Sequence, residues 1–484
     1  MAATGNGSLL GALREVVGPD AVLYDEDELS VYEYDGALDR ARPDFVVFPR
    51  TAEEVAEIVR VCNRYGVPFV ARGAGTGLSG GAIPVRGGVL IVLTRMNRIL
   101  QADYPNRLAV VEPGVINITV TEEVAPDGYY YAPDPSSQKA CTIGGNVAEN
   151  SGGPHCLAYG VTTNHVLALD IVLPEGTMLH VGGPAPDWPG YDLTGILTGS
   201  EGTLAIFTRA WLRLMRQPEA VRTFLAIFDR LDDASETVSD IIAHGIVPAA
   251  LEMMDKLTIE AVEPAVKAGY PPEAEAVLLI EVEGLREAVD VQSELVRRLC
   301  QSHQAREIRE AETPEARERL WAGRKGALGA LGRLAPNYCL QDGVVPRTKL
   351  PWILRRVAEH GQKYGFRIAN VFHAGDGNLH PCILFDEREP GAKERVLECA
   401  AAILRDCVDA GGSITGEHGV GIEKQNWMPW LFTEADLDAM ARLKRCFNPN
   451  DLLNPGKVFP TTKSCVELSG DVLEKAEKLG IPLV

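Results

Sequence analysis

The chain has 484 residues, 46% hydrophobic and 24% charged, the composition of a folded protein with room for two or three domains. Its net charge of −20 argues against nucleic acid and anionic membrane surfaces as partners. MAATGNGSLLGALREVV lacks a basic segment followed by an apolar core, so no secretion signal is expected; no apolar run approaches the ~18 residues of a membrane span, and ten cysteines without a C-x-x-C pair read as reduced thiols of a cytoplasmic protein with no iron–sulfur relay of its own.

Residues 1–42 predict an N-terminal helix and an acidic stretch, YDEDELSVYEYDG, without assigned chemistry. From Pro43, DFVVFP predicts a strand. Thr51 with Glu54 forms a capping box that opens a helix, with Val55, Ile58, Val59 and Cys62 on one face. The strand VPFVA then runs into the loop RGAGTGLSGG at 72–81, where five of ten residues are glycine. Such a loop can turn its backbone N–H groups toward a phosphate or pyrophosphate. A purely structural turn is the plain alternative. Gly75, Gly77 and Gly80 satisfy the G-x-G-x-x-G of nicotinamide-binding folds, but that fingerprint must open a helix. Here Pro84, Gly87 and Gly88 follow, then the run VLIVL at 89–93, so the prediction is strand, loop, strand. Two further loops rich in small polar residues, at 132–153 and 197–208, flank the strand LALDIVLP. Together the three loops suit a ligand much longer than one phosphate.

Residues 220–410 alternate helices with hairpin-linked strands in two rounds of β-α-β-β-α, which predicts an α+β domain on an antiparallel sheet. Residues 411–460 are expected to return to the first domain, and 461–484 to form a terminal helix. Within FHAGDGNLHP, Asp376-Gly377 predicts a two-residue hairpin turn that sets His373 opposite His380. The pair could converge on a metal ion or be an ordinary cross-strand pair. GSITGEHGVG adds Glu417 and His418 in a glycine-flanked segment; His, His and Glu form a ligand set familiar for zinc, whereas Glu-His alone could be a solvated or capping pair.

The segments PRTAEEVAEIVR, RGAGTGLSGG, PDPSSQKACTIGGNVAENSGG, YGVTTNHV and GSEGTLAIFT resemble the FAD-binding domain of the vanillyl-alcohol oxidase (PCMH) type over 43–215. The resemblance implies that Arg72, Gly73, Ala74, Gly75, Thr76, Gly77, Leu78 and Ser79 contact the FAD pyrophosphate. It places Pro133, Ser136, Thr142, Gly144, Gly145, Asn146, Gly152, Gly202 and Ile206 along the cofactor, with Asn454 of NPGKVFP near the ring. The first loop has neither histidine nor cysteine, so FAD is expected to be non-covalent.

With AGDGNLHP and GEHGVG downstream, the chain from Pro43 to Pro460 resembles the FAD-linked D-2-hydroxyacid dehydrogenases. That family implies a divalent metal on His373, His380 and Glu417, with zinc favoured and manganese or iron open. It implies His418 as the base and Arg324 as partner of the substrate carboxylate; without the family, Arg324 would read as a solvated arginine on an amphipathic helix. The 2-hydroxyglutarate enzymes carry a further lysine downstream, where NYCLQDG puts Cys339, so a monocarboxylate such as D-lactate or glycolate is expected. D-2-hydroxyglutarate and a non-catalytic flavin-binding subunit are the alternatives. The expected organisation is an N-terminal segment (1–42), a PCMH-type FAD domain (43–218), a ferredoxin-like α+β cap (219–410) and a C-terminal segment (411–484). Reoxidation falls to an external acceptor: an iron–sulfur subunit, quinone, cytochrome or electron-transfer flavoprotein. A homodimer or hetero-oligomer, peripheral to the membrane through a partner, fits these expectations.

Overall fold

The computed structural model describes residues 3–185 and 188–460, so the helix expected at 461–484 lies outside the described residues. Helix Ala3–Val17 packs on helix Ala52–Tyr65, which buries Val55, Ile58, Val59 and Cys62 as the periodicity predicts. Thr51 Oγ1 accepts from the Glu54 N–H at 3.2 Å. The Glu54 carboxylate accepts from the N–H of Arg50, not Thr51, so the expected box is closed one residue early.

Strands Phe45–Val47, Val89–Val92 and Phe69–Arg72 are parallel neighbours, edged by antiparallel Val22–Leu23. The glycine loop therefore joins two adjacent parallel strands with no helix between them. An antiparallel sheet follows, ordered Ile99–Asp103, Leu108–Val111, Ile206–Arg213, Val166–Val172, Met178–Gly182. Val172 and Ile206 bury into the core of the first sheet, which joins the two layers.

The second half carries a seven-stranded antiparallel sheet: Glu307–Glu310, Ala220–Phe228, Ala276–Gly284, Ala250–Asp255, Arg367–Phe372, Pro381–Phe385, Asn337–Leu340. The first four follow a ferredoxin-like order and the last three form a second, incomplete copy. The copies meet where Met253 pairs with Phe372 and Met254 with Val371. Helix Lys256–Val266 departs from the expected β-α-β-β-α order, because Pro264 masks it in the sequence while Asp255 caps it through the Thr258 N–H at 2.9 Å. Helices Lys256–Val266 and Pro314–Leu331 cover one face of the sheet around Met254, Ala327, Leu331 and Val371. The C-terminal stretch returns to the first sheet: Leu453 bridges Phe69, and the Ile422 N–H donates to the Ser79 carbonyl at 2.9 Å.

Candidate active site

The glycine loop opens on a cavity of about 360 Å³. Arg72 to Leu78, Ser136, Thr142, Gly144, Gly145, Asn146, Gly152, Gly202 and Ile206 line one part of it, and Arg324, His380, Glu417 and His418 line another. Ser79, Pro133, Asn454 and His373 lie outside the lining. Pro133 and Ser79 offer their carbonyls to Asn117 and Ile422, and Asn454 Nδ2 ties Gly81 to Glu201 through their carbonyls at 3.0 and 2.8 Å. A Cβ on Gly73 would sit 2.1 Å from Thr142 Oγ1, so only glycine lets the two loops approach this closely. Thr142 Oγ1 is buried with no hydrogen-bond partner among the described residues, as suits a group that receives a polar cofactor. The Arg72 guanidinium is tucked behind the loop, where Nη1 donates to the Tyr34 carbonyl at 2.7 Å.

The hairpin differs from the expected one. His373 bridges Asn378, not His380, and Ala374 to Gly377 form a four-residue turn. The register is shifted by two residues, and because side chains alternate with period two, both histidines keep the same face. Their rings lie 5.1 Å apart at 82°. The Nε2 atoms of His373 and His380 are 3.2 and 3.3 Å from Glu417 Oε1, and the three ligand atoms lie within 4.8 Å of one another. His380 Nε2 is buried and without a hydrogen bond. Burial would lower the His373 pKa, but Glu252 and Glu417 outweigh it and push it up to about 10. The donors thus fit a divalent cation held by two imidazoles and a carboxylate.

Asp342, His380 and His418 form an overlapping group. Asp342 is already engaged there: it accepts from Thr415 Oγ1 at 2.5 Å, the His418 N–H at 2.9 Å and Lys424 Nζ at 3.3 Å. It is an anchor for the GEHG segment. On the other side, Glu201 accepts the N–H groups of Val420 and Gly421 at 2.7 and 2.6 Å. His418 stacks on His380 at 4.9 Å and 15°. Burial, with the neighbouring His380 and Lys424, outweighs Asp342 and pushes His418 down to about 4, leaving a neutral imidazole at pH 7.

Arg324 is not solvated. It is 2% exposed, and its Nε and Nη2 lie 2.7 and 2.6 Å from Glu252 Oε2. Glu252 and Asp342 went unassigned in the sequence, although a lone carboxylate inside the apolar run AALEMM is a signal, since buried charge must be paired. Cys339 faces the core beside Ile383 and Cys399, while its strand neighbour Leu340 lines the cavity. The cysteine therefore says nothing about a second substrate carboxylate.

Residues 43–182 match the family described as FAD binding domain, and residues 217–458 match FAD linked oxidases, C-terminal domain. The chain belongs to the FAD-linked oxidases. It is 48% identical to glycolate oxidase subunit GlcD of Escherichia coli (strain K12), over 95% of this chain and 92% of that one. Identity is 42% to glycolate oxidase subunit GlcD of Bacillus subtilis (strain 168), over 92% and 96%, and 33% to D-lactate dehydrogenase of Anaerostipes hadrus, over 90% and 92%. The fold matches p-cresol methylhydroxylase with substrate bound, at a TM-score of 0.80, 19% identity and coverage of 96% and 99% of the two chains. Alkyldihydroxyacetonephosphate synthase shares it at a TM-score of 0.72, 19% identity and coverage of 93% and 85%. The expected α+β architecture with a PCMH-type FAD domain is therefore borne out, and this FAD-linked oxidase is an oxidoreductase. No helix among its described residues is long and apolar enough to cross a membrane.

Proposed function

We propose that this FAD-linked oxidase oxidises a short D-2-hydroxyacid, D-lactate or glycolate, to the 2-oxoacid with the help of a divalent ion. The observation that carries the reading is the meeting of Arg324, His380, Glu417 and His418 on the same cavity as the glycine loops. FAD, held non-covalently along those loops, would supply the two-electron acceptor, with N5 as the position for the C2 hydride. His373, His380 and Glu417 would hold a divalent ion, zinc by the character of the donors, which would supply positive charge that makes a neighbouring hydroxyl more acidic.

The other parts are the chain's own. Arg324 offers a planar fork of donors to the substrate carboxylate, and because its Nε/Nη2 edge faces Glu252, the outer edge is the one left for substrate. His418, neutral near pH 7, accepts the hydroxyl proton. Asp342 and Glu201 hold the GEHG segment from both sides, so its imidazole is positioned before substrate arrives. Leu328, Leu340 and Val371 on the lining favour a small aliphatic acid. Electrons then leave to an external acceptor, an iron–sulfur subunit, quinone, cytochrome or electron-transfer flavoprotein, with the protein cytoplasmic or attached to the membrane through that partner.

Lys325, on the same lining, favours a second reading with a diacid such as D-2-hydroxyglutarate, although its Nζ lies 3.5 Å from Asp134. Rates of flavin reduction by D-lactate, glycolate and D-2-hydroxyglutarate separate the two. For the metal, His373→Ala is expected to keep the flavin spectrum and lose reduction by substrate; reduction at the parent rate would remove the ion from the mechanism.

A further inference from the structure

Glu252 sits in strand Ala250–Asp255, fully buried in the middle of the seven-stranded sheet. A carboxylate there is tolerated only when its charge and lone pairs are met. Two groups meet it, from different elements. Arg324, on helix Pro314–Leu331, donates Nε–H to Oε2 at 2.7 Å, and its Nη2 lies 2.6 Å from the same oxygen as an ion pair, without a hydrogen bond of its own among the described residues. His373, just past strand Arg367–Phe372, turns Nδ1 to its two oxygens at 2.9 and 3.0 Å. The pairing of Met253 with Phe372 makes this possible: one step further along that register, Glu252 and His373 stand side by side.

We propose that Glu252 is a positioning residue that sets the tautomer of His373 and the open edge of Arg324 with one carboxylate, a reading that rests on the roles proposed above for those two residues. As an acceptor-only group, a carboxylate obliges His373 to carry its proton on Nδ1. Nε2, which faces Glu417 3.2 Å away, is then the nitrogen left to give up its proton and bind a metal. The same carboxylate occupies the Nε/Nη2 edge of Arg324, so a substrate carboxylate can be received only on the outer edge. The site that would hold the hydroxyl and the site that would hold the carboxylate are thereby kept at a fixed spacing by one buried side chain.

Glutamine cannot take both roles. With its oxygen toward His373, its NH2 faces the Arg324 guanidinium, donor against donor. Flipped, the NH2 faces Nδ1 and forces the imidazole proton onto Nε2. The test is zinc binding to the flavin-loaded protein, measured by competition with a chromophoric chelator, together with flavin content and KM for D-lactate. Glu252→Gln is expected to weaken zinc about 10–100-fold, as loss of a metal ligand's hydrogen-bond partner typically does, and to raise KM while flavin content stays at one per chain. Zinc affinity and KM equal to the parent's would overturn the assignment. If Glu252→Gln loses its flavin, Glu252→Asp decides. It keeps the charge but is one methylene shorter, so it cannot reach both partners, and it is expected to weaken zinc or raise KM; parent values for both overturn the proposal. A parent protein that binds no zinc would instead remove the metal reading itself, which distinguishes the two failures.

Discussion

Replacing Arg324 by lysine keeps the charge beside Glu252 and removes the fork. Arginine can serve Glu252 with Nε and Nη2, at 2.7 and 2.6 Å, and still present its outer edge to the cavity. One ammonium in the same place can face the glutamate or the substrate but not hold both in fixed geometry. The substrate then loses at least one charge-assisted hydrogen bond, worth about 1.5–3 kcal/mol. At about 1.4 kcal/mol per factor of ten, that corresponds to a fall of roughly 10–150-fold in kcat/KM, mostly in KM if the bond is equally strong in ground and transition states. The fold should tolerate the change, because Glu252 keeps both a cation and His373 as partners. The assay is anaerobic mixing with D-lactate or glycolate, following flavin reduction across substrate concentration. A fully flavinated Arg324→Lys protein within about threefold of the parent at every concentration would show that Arg324 serves Glu252 alone.

His418→Ala is expected to slow flavin reduction about 10²–10⁴-fold with the flavin spectrum retained; loss of FAD instead would make the imidazole structural. His155 bridges the two halves of the chain, with Nδ1 3.0 Å from Asp134 and Nε2 3.4 Å from Glu281. Burial would lower its pKa, but those carboxylates outweigh it and push it up to about 10. Its stabilisation is therefore complete below pH ~6.5 and lost as pH rises toward about 10, so the Tm gap between parent and His155→Gln should shrink across that window; a gap independent of pH contradicts the pairing. Gly421 has φ +51 and a Cβ there would lie 2.0 Å from the Ser79 carbonyl, so Gly421→Ala should lower both Tm and flavin content by separating the GEHG segment from the glycine loop. Parent values for both would show that the contact is loose.

The local rules that were legible in the sequence are those with a fixed period or a fixed chemistry. The face of helix Ala52–Tyr65, the strand–loop–strand around RGAGTGLSGG and the proximity of His373 to His380 all follow from them. The last survived a wrong turn because a two-residue slip preserves the face. Long-range pairing was not legible. Nothing local says that strand Ala250–Asp255 lies beside Arg367–Phe372, and only that pairing brings Glu252 to His373 and Arg324. Asp342 and Glu201 were hidden for the same reason: each anchors backbone more than 70 residues away in sequence. Cys339 shows the converse error, since position along a segment does not say which face of a strand a side chain takes.

The central claim is that flavin reduction by a 2-hydroxyacid depends on a cation held by His373, His380 and Glu417. The most direct measurement is anaerobic bleaching of the purified flavoprotein by D-lactate, L-lactate and glycolate, before chelation, after it, and after return of zinc. The account predicts bleaching by D-lactate or glycolate and not by L-lactate, abolished by the chelator with the flavin still bound and restored by the metal. Undiminished bleaching in metal-free protein would contradict it.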